Sequence, residues 1–243
     1  MKKIKLFMAA ALLAVCGTAS AQFSNTSKSG GSGTGVTDWN AISFEYAPSN
    51  FTYDYDDADD QSFTGLSLSW THGFAISKTM PLFIETGLGV QWSFYKEEDG
   101  SVEDEDDYYS SETNTKKFNM FSLKVPVSIG YQFDLANGKV ALAPYAGIDL
   151  RYNLSGKIKE EKSWSWEDDD DYDSESSSEE RDLFDKKDMD GDEWKRFQIG
   201  WHIGAKCTFS QKYTLGIAYG ADFSEIAKKT KTNAFRISAG IRF

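Results

Sequence analysis

Eight times along this chain, large apolar side chains return at every second position. In the stretch 119–133, Phe121, Leu123, Val125, Val127, Ile129, Tyr131 and Phe133 share one parity, while Ser122, Lys124, Ser128, Gly130 and Gln132 take the other. A period of two puts successive side chains on opposite faces of an extended strand. The segments 39–49, 63–76, 82–94, 119–133, 139–154, 194–209, 212–223 and 233–243 all read this way, so each predicts a strand with one apolar and one polar face.

The connections between these strands are unequal. Long acidic segments follow the first, third and fifth, and short turns ("KTMP", "DLANG", "SQ") follow the second, fourth and sixth. The last link, "EIAKKTKT", is intermediate in length and basic. Short turns on one rim and long loops on the other describe an up-and-down barrel. Strands of nine or more residues are long enough to cross a bilayer when tilted. The competing arrangement is a soluble antiparallel sandwich, whose strands also alternate. Glycine on the polar parity weighs against it: Gly65, Gly73, Gly87, Gly89, Gly130, Gly147, Gly200, Gly204, Gly216, Gly220 and Gly240 all fall there. A solvated strand face gains nothing from glycine, whereas the crowded interior of a small barrel needs small residues. Trp70, Trp92, Tyr131, Trp201, Tyr213 and Tyr219 lie near strand ends on the apolar parity, where an interfacial girdle would run. Trp164 and Trp166, where the fifth strand would leave the membrane, read as girdle residues, with contact residues in a binding loop as the alternative.

The start of the chain, "MKKIKLFMAAALLAVCGTASA", has the basic, apolar and A-x-A segments of a secretory signal peptide. The expected division is therefore a signal peptide over 1–21, a flexible linker over 22–38 and a barrel over 39–243. Loss of Lys2, Lys3 and Lys5 would take the net charge from −12 to −15 and leave Cys207 without a disulfide partner.

With its signal peptide, its alternating segments and its final strand ending in Phe243, the chain resembles small outer-membrane β-barrels of the OmpA, OmpX and opacity-protein type. Its acidic loops also resemble PorT-like barrel domains. The resemblance implies an eight-stranded antiparallel up-and-down transmembrane β-barrel with long acidic extracellular loops and periplasmic termini, in a bacterial outer membrane. It further implies that Phe235, Ile241 and Phe243 serve as the signal read by the barrel assembly machinery. The implied partners are outer-membrane lipids, that machinery and an extracellular or envelope protein. The implied role is surface binding, adhesion or envelope structure, with a subunit of a secretion or transport apparatus as the alternative.

Parity sends Glu45, Glu85, Lys124, Asp149, Arg151, Arg196, Lys206, Asp222, Arg236 and Arg242 inward. Buried charges persist only when paired and hydrogen-bonded, so an internal salt-bridge network is expected. It would hold the barrel shut, and a narrow ion path is the sharper alternative. Catalysis is not expected. His72 faces outward and His202 inward, and no serine is evident within reach of either as a nucleophile. A lipid hydrolase is the weakest reading.

Residues 50–62, 96–117 and 157–193 hold 31 of the 38 acids in the chain. Such composition predicts loop tips that are mobile rather than packed. No cofactor is expected beyond loose Ca²⁺ association with these carboxylates. Asp188, Asp190 and Asp192 in "DMDGDE" are the candidate metal ligands, although the spacing departs from an EF-hand. The negative charge argues against nucleic-acid binding.

Overall fold

The computed structural model describes residues 36–54, 60–77, 80–105, 108–135, 139–168, 171–189 and 192–243. The expected signal peptide and nearly all of the expected linker lie outside the described residues.

Ten strands form: β1 (Trp39–Tyr53), β2 (Gln61–Ala75), β3 (Leu82–Glu105), β4 (Tyr108–Tyr131), β5 (Phe133–Leu135), β6 (Val140–Asp168), β7 (Asp171–Asp182), β8 (Phe197–Phe209), β9 (Tyr213–Asp222) and β10 (Thr230–Arg242). Eight of them close a ring in the order β1-β2-β3-β4-β6-β8-β9-β10, with β10 returning antiparallel to β1. Closure runs to the last residue: Asn40 and Phe243 exchange N–H···O bonds of 3.0 and 2.9 Å. The short β5 continues β4 after a break at Gln132 and pairs with β6, while β7 pairs with β6 outside the ring.

The faces follow the sequence period, inverted relative to a water-soluble protein. Phe44, Leu68, Trp70, Leu88, Ile129, Ile203, Leu215 and Ile237 are all exposed on the outside of the wall. Glu85, Gln91, Lys124, Asp149, Gln198 and His202 are buried within it. Small residues make this interior possible. A Cβ on Gly147 would run into the Val127 carbonyl and stand 2.8 Å from His202 Nε2.

Two apolar clusters seal the ends. At the long-connection rim, Phe51, Phe63, Phe118, Met120, Leu183 and Ile226 are buried together. Phe51 stacks on Phe63 with ring centroids 4.4 Å apart and meets Phe118 edge-on at 5.5 Å. The segment after β7 is drawn across this mouth by Leu183 N→Gly156 O (3.0 Å), Trp194 N→Leu183 O (2.7 Å) and Lys195 N→Ile226 O (2.7 Å). At the short-turn rim Trp39 packs edge-on against Phe83 at 4.9 Å, and Gly130 leaves room for the Phe83 ring. Phe51, Phe63, Phe83, Phe118 and Met120 all occupy the parity expected to be polar.

The acidic connections are extensively paired, and their tips at 55–59, 106–107, 169–170 and 190–191, where mobility is expected, lie outside the described residues. β3 and β4 stay paired from Leu82↔Tyr131 to Glu105↔Tyr108, well past the end of the β2–β3 pairing at Thr64↔Phe94. β6 follows β4 to Asp168, and β7 adds a fourth strand from Lys157↔Asp182 to Asp168↔Asp171. The barrel wall thus rises into a four-stranded blade, β3-β4-β6-β7. Its carboxylates fall on both faces, interspersed with Ser, Thr, Lys and Trp, and lysines on β4 and β6 offset their repulsion.

Replacing Phe118, fully buried in the upper cluster, should cost about 3–5 kcal/mol as Phe118→Ala, the usual range for a buried phenylalanine. Urea unfolding in detergent micelles, followed by tryptophan fluorescence, measures this loss.

Candidate functional site

The alternation of β1, β3, β4, β6, β8, β9 and β10 brings eight of the ten expected interior charges together as four ion pairs. Lys124 donates to Glu45 at 2.9 Å, Arg151 to Asp222 at 2.5 Å and Arg236 to Asp149 at 2.6 Å. Lys206 pairs with Glu85. Hydroxyls complete the sites: Ser67 donates to Glu45 at 3.2 Å, and Thr232 sits 3.1 Å from Arg151 Nη2 while bonding Asp222. The other two expected members stand elsewhere. Arg196 donates to the carbonyls of Asn153 (3.2 Å) and Leu154 (2.8 Å) at the rim and covers the Phe184 ring. Arg242 lies 4.0 Å above Trp39 and donates to Gln132 Oε1 at 3.2 Å. Both sit at strand ends, where backbone carbonyls and rings replace carboxylates as partners.

One contact runs against the sequence reading. Ser128 Oγ lies 2.8 Å from His202 Nε2, and His202 Nδ1 lies 3.1 Å from Asp149 Oδ2. Ser128 reaches His202 across Gly147, which sits between them on the intervening strand. The constellation has the residue types of a nucleophilic relay, but Nδ1 makes no well-aimed hydrogen bond. The space beside it is a cavity of about 60 Å³ lined by Glu45, Lys124, Asp149, His202 and Arg236. That volume suits a few waters rather than an acyl chain. With apolar clusters at both ends, the interior is built to hold charge in place.

The blade is the second candidate. Cross-strand register assigns its two faces. Continuing the barrel's inner face are the rows Glu97–Lys116–Glu160–Glu179, Asp99–Asn114–Lys162–Ser177 and Ser101–Glu112–Trp164–Glu175. Continuing the outer face are Lys96–Lys117–Lys159–Glu180 and Glu98–Thr115–Glu161–Ser178. The lower outer rows form an ion-pair lattice: Lys96–Glu98 at 2.6 Å, Lys117–Glu161 at 2.5 Å and Lys159–Glu161 at 2.7 Å. Hydrogen bonds from Lys117 and then Lys159 hold the Glu161 carboxyl down to about 2.

Trp164 and Trp166 are not girdle residues. Trp164 lies twelve positions beyond Tyr152, which pairs with the first residue of β8. At about 3.3 Å per residue that is roughly 40 Å farther along the strand. Of the expected metal ligands, Asp188 accepts the Asp182 N–H at 3.0 Å and Asp192 lies 3.9 Å from Lys228, while Asp190 is outside the described residues. Among the described residues, no group of three potential ligands converges. The residues read as an assembly signal lie on β10 and its end: Phe235 is half-buried and level with Tyr219, and Ile241 and Phe243 are exposed at the short-turn rim.

Residues 21–225 match the family model described as outer membrane protein beta-barrel domain. The chain belongs to this family. That membership makes the exposed apolar wall a lipid-facing surface in a bacterial outer membrane. The matched span stops short of β10, the strand that closes this barrel. Among solved structures, the barrel is similar to Ail, the attachment invasion locus protein of Yersinia pestis, at 16% identity with a TM-score of 0.37, covering 86% of this chain and 100% of that one. Neisserial surface protein A is similar at 16% identity with a TM-score of 0.37, covering 84% and 95%. The N-terminal barrel domain of Pseudomonas aeruginosa OprF is similar at 11% identity with a TM-score of 0.27, covering 83% and 97%. No curated protein matches the chain.

Two outcomes follow for this outer-membrane barrel. Asp149→Asn should cost about 3–5 kcal/mol, because Arg236 is then left buried without its counter-charge. Heat-modifiable gel mobility at rising urea reads this. In the blade, Glu161 holds its charge below its ordinary 4.5, so its contribution is present above about pH 4.5 and is lost as pH falls toward 2. Carboxyl NMR titration should place its midpoint near 2, and Lys117→Ala should move it up toward 4.5.

Proposed function

We propose that this protein is a surface-binding component of the outer membrane, in which a sealed barrel anchors an acidic blade outside the cell. The observation that carries this reading is the continuity of wall and blade. β6 runs for 29 residues from the short-turn rim to the blade tip, with one register shift against β4 at Phe121/Ser122. A projecting element of paired strands is held rigidly relative to the barrel, so contacts made on it need no further ordering. The wall beneath adds only fixation. Eight of its interior charges are mutually neutralised and its two mouths are filled by aromatic side chains, which favours an anchor over an ion path. The orientation follows the rule for such barrels, with short turns on the periplasmic side and long connections outside. The strand ends at Trp39 and Phe243 then face the periplasm with the short turns.

Epitope insertion tests this directly. A tag placed between Glu105 and Tyr108 at the tip should label on intact cells. A tag placed between Leu135 and Lys139 should label only after the envelope is permeabilised. The reverse pattern would overturn the reading.

A further inference from the structure

The blade exposes large side chains on both faces near its tip, and on one of them two indoles are adjacent. Trp164 and Trp166 stand side by side on β6, two positions apart and therefore on one face. Trp164 is 40% exposed, far above the lipid-facing belt. The opposite face at the same height carries Thr113, Ser163, Ser176, Ser111, Ser165 and Ser174, with Ser111 and Ser165 bonded at 2.9 Å. That face also exposes Val102, Tyr109 and Tyr172, so one side of the blade tip mixes hydroxyls with phenols, while the other sets the exposed Trp164 beside the half-buried Trp166.

The neighbours of the indoles define what fits there. Trp164 is flanked directly by Glu112 on β4 and Glu175 on β7, and Trp166 by Ser110 and Asp173. Directly opposed side chains in a sheet have Cβ atoms about 5 Å apart, so these carboxylates rim the rings. Asp173 accepts the Ser174 N–H at 2.8 Å. Among the described residues, neither Glu112 nor Glu175 has a basic partner, in contrast to Glu160 and Glu161 lower on the blade, which pair with Arg181, Lys117 and Lys159. Lys162, one row below Trp164 on the same face, closes the lower boundary with like charge for any cation.

We infer that this sheet face binds an extended basic peptide segment with lysine or arginine at alternate positions, one cation over each indole. Indole faces attract ammonium and guanidinium groups, and Trp is the strongest of the aromatic partners. The unpaired carboxylates then take the outward N–H groups of the same cations. Successive same-face residues of a strand are spaced by about 6.6–6.8 Å, in the blade and in an extended peptide alike, so an R-x-R or K-x-K spacing matches the pair of rings. This inference rests on the surface-binding reading and names its partner class.

The test uses full-length protein in lipid nanodiscs and three synthetic peptides of equal charge, with arginines adjacent, alternate or three apart, measured by calorimetry. The alternate peptide should bind at least tenfold more tightly than the other two. Trp164→Ala with Trp166→Ala should remove that preference. Glu175→Gln, at an exposed position where folding is undisturbed, should weaken binding several-fold and flatten its salt dependence. Equal binding of all three peptides, or an unchanged preference in the double variant, would mean diffuse attraction to an acidic blade and would overturn the site while leaving the surface-binding reading intact. No heat at millimolar peptide would also overturn it. Failure of the underlying reading shows separately, as a tip epitope hidden on intact cells.

Discussion

Lipid offers a backbone no hydrogen-bond partner, and that deprivation organises everything else in this protein. Each amide in the wall must find its mate on a neighbouring strand, so the sheet has to close. β1 and β10 meet that demand to the last residue, at the reciprocal Asn40–Phe243 pair. Closure with eight strands then leaves a lumen too narrow for two layers of large side chains. Glycine and serine line much of it for that reason, and the apolar bulk is sent outward, where lipid receives it.

Charge enters this confined interior only as matched pairs. Asp149 is the centre of the arrangement, touched by Arg236 from β10 and His202 from β8. Such pairs add little net stability over well-packed apolar residues, but removing one partner is expensive. They therefore act as registration marks between strands far apart in sequence. The ends obey a different rule. Where water would otherwise enter, aromatic rings take over the inner face, Trp39 with Phe83 below and Phe51, Phe63 and Phe118 above. Polar centre and apolar stoppers are two answers to one problem, the filling of a tube.

Period two made the ring legible before any coordinates, because a one-residue slip would reverse every side chain. It also placed Glu45, Lys124, Asp149 and Arg236 inside. What it missed has identifiable causes. Phe51, Phe63, Phe118 and Met120 break the apolar-outward pattern, and the signal was present as aromatic residues on the polar parity near strand ends. The Ser128–His202 contact spans two strands across Gly147, so only the inter-strand register reveals it. In the acidic segments composition shows only repulsion. Their alternation was there to be seen in "KSWSWED", where Ser163, Trp164, Ser165 and Trp166 change faces in turn.

The length of β6 has a mechanical consequence. A load at the blade tip that acts along the strand axis meets β6 end-on. The load then falls as shear on the many hydrogen bonds that tie β6 to β4, which share it in parallel instead of breaking one after another as in a peeled hairpin. The same strand passes into the wall through a single bulge beside Phe121 and Ser122, so the force ends in the membrane-embedded ring. A tether of this kind resists tearing best along its strand axis.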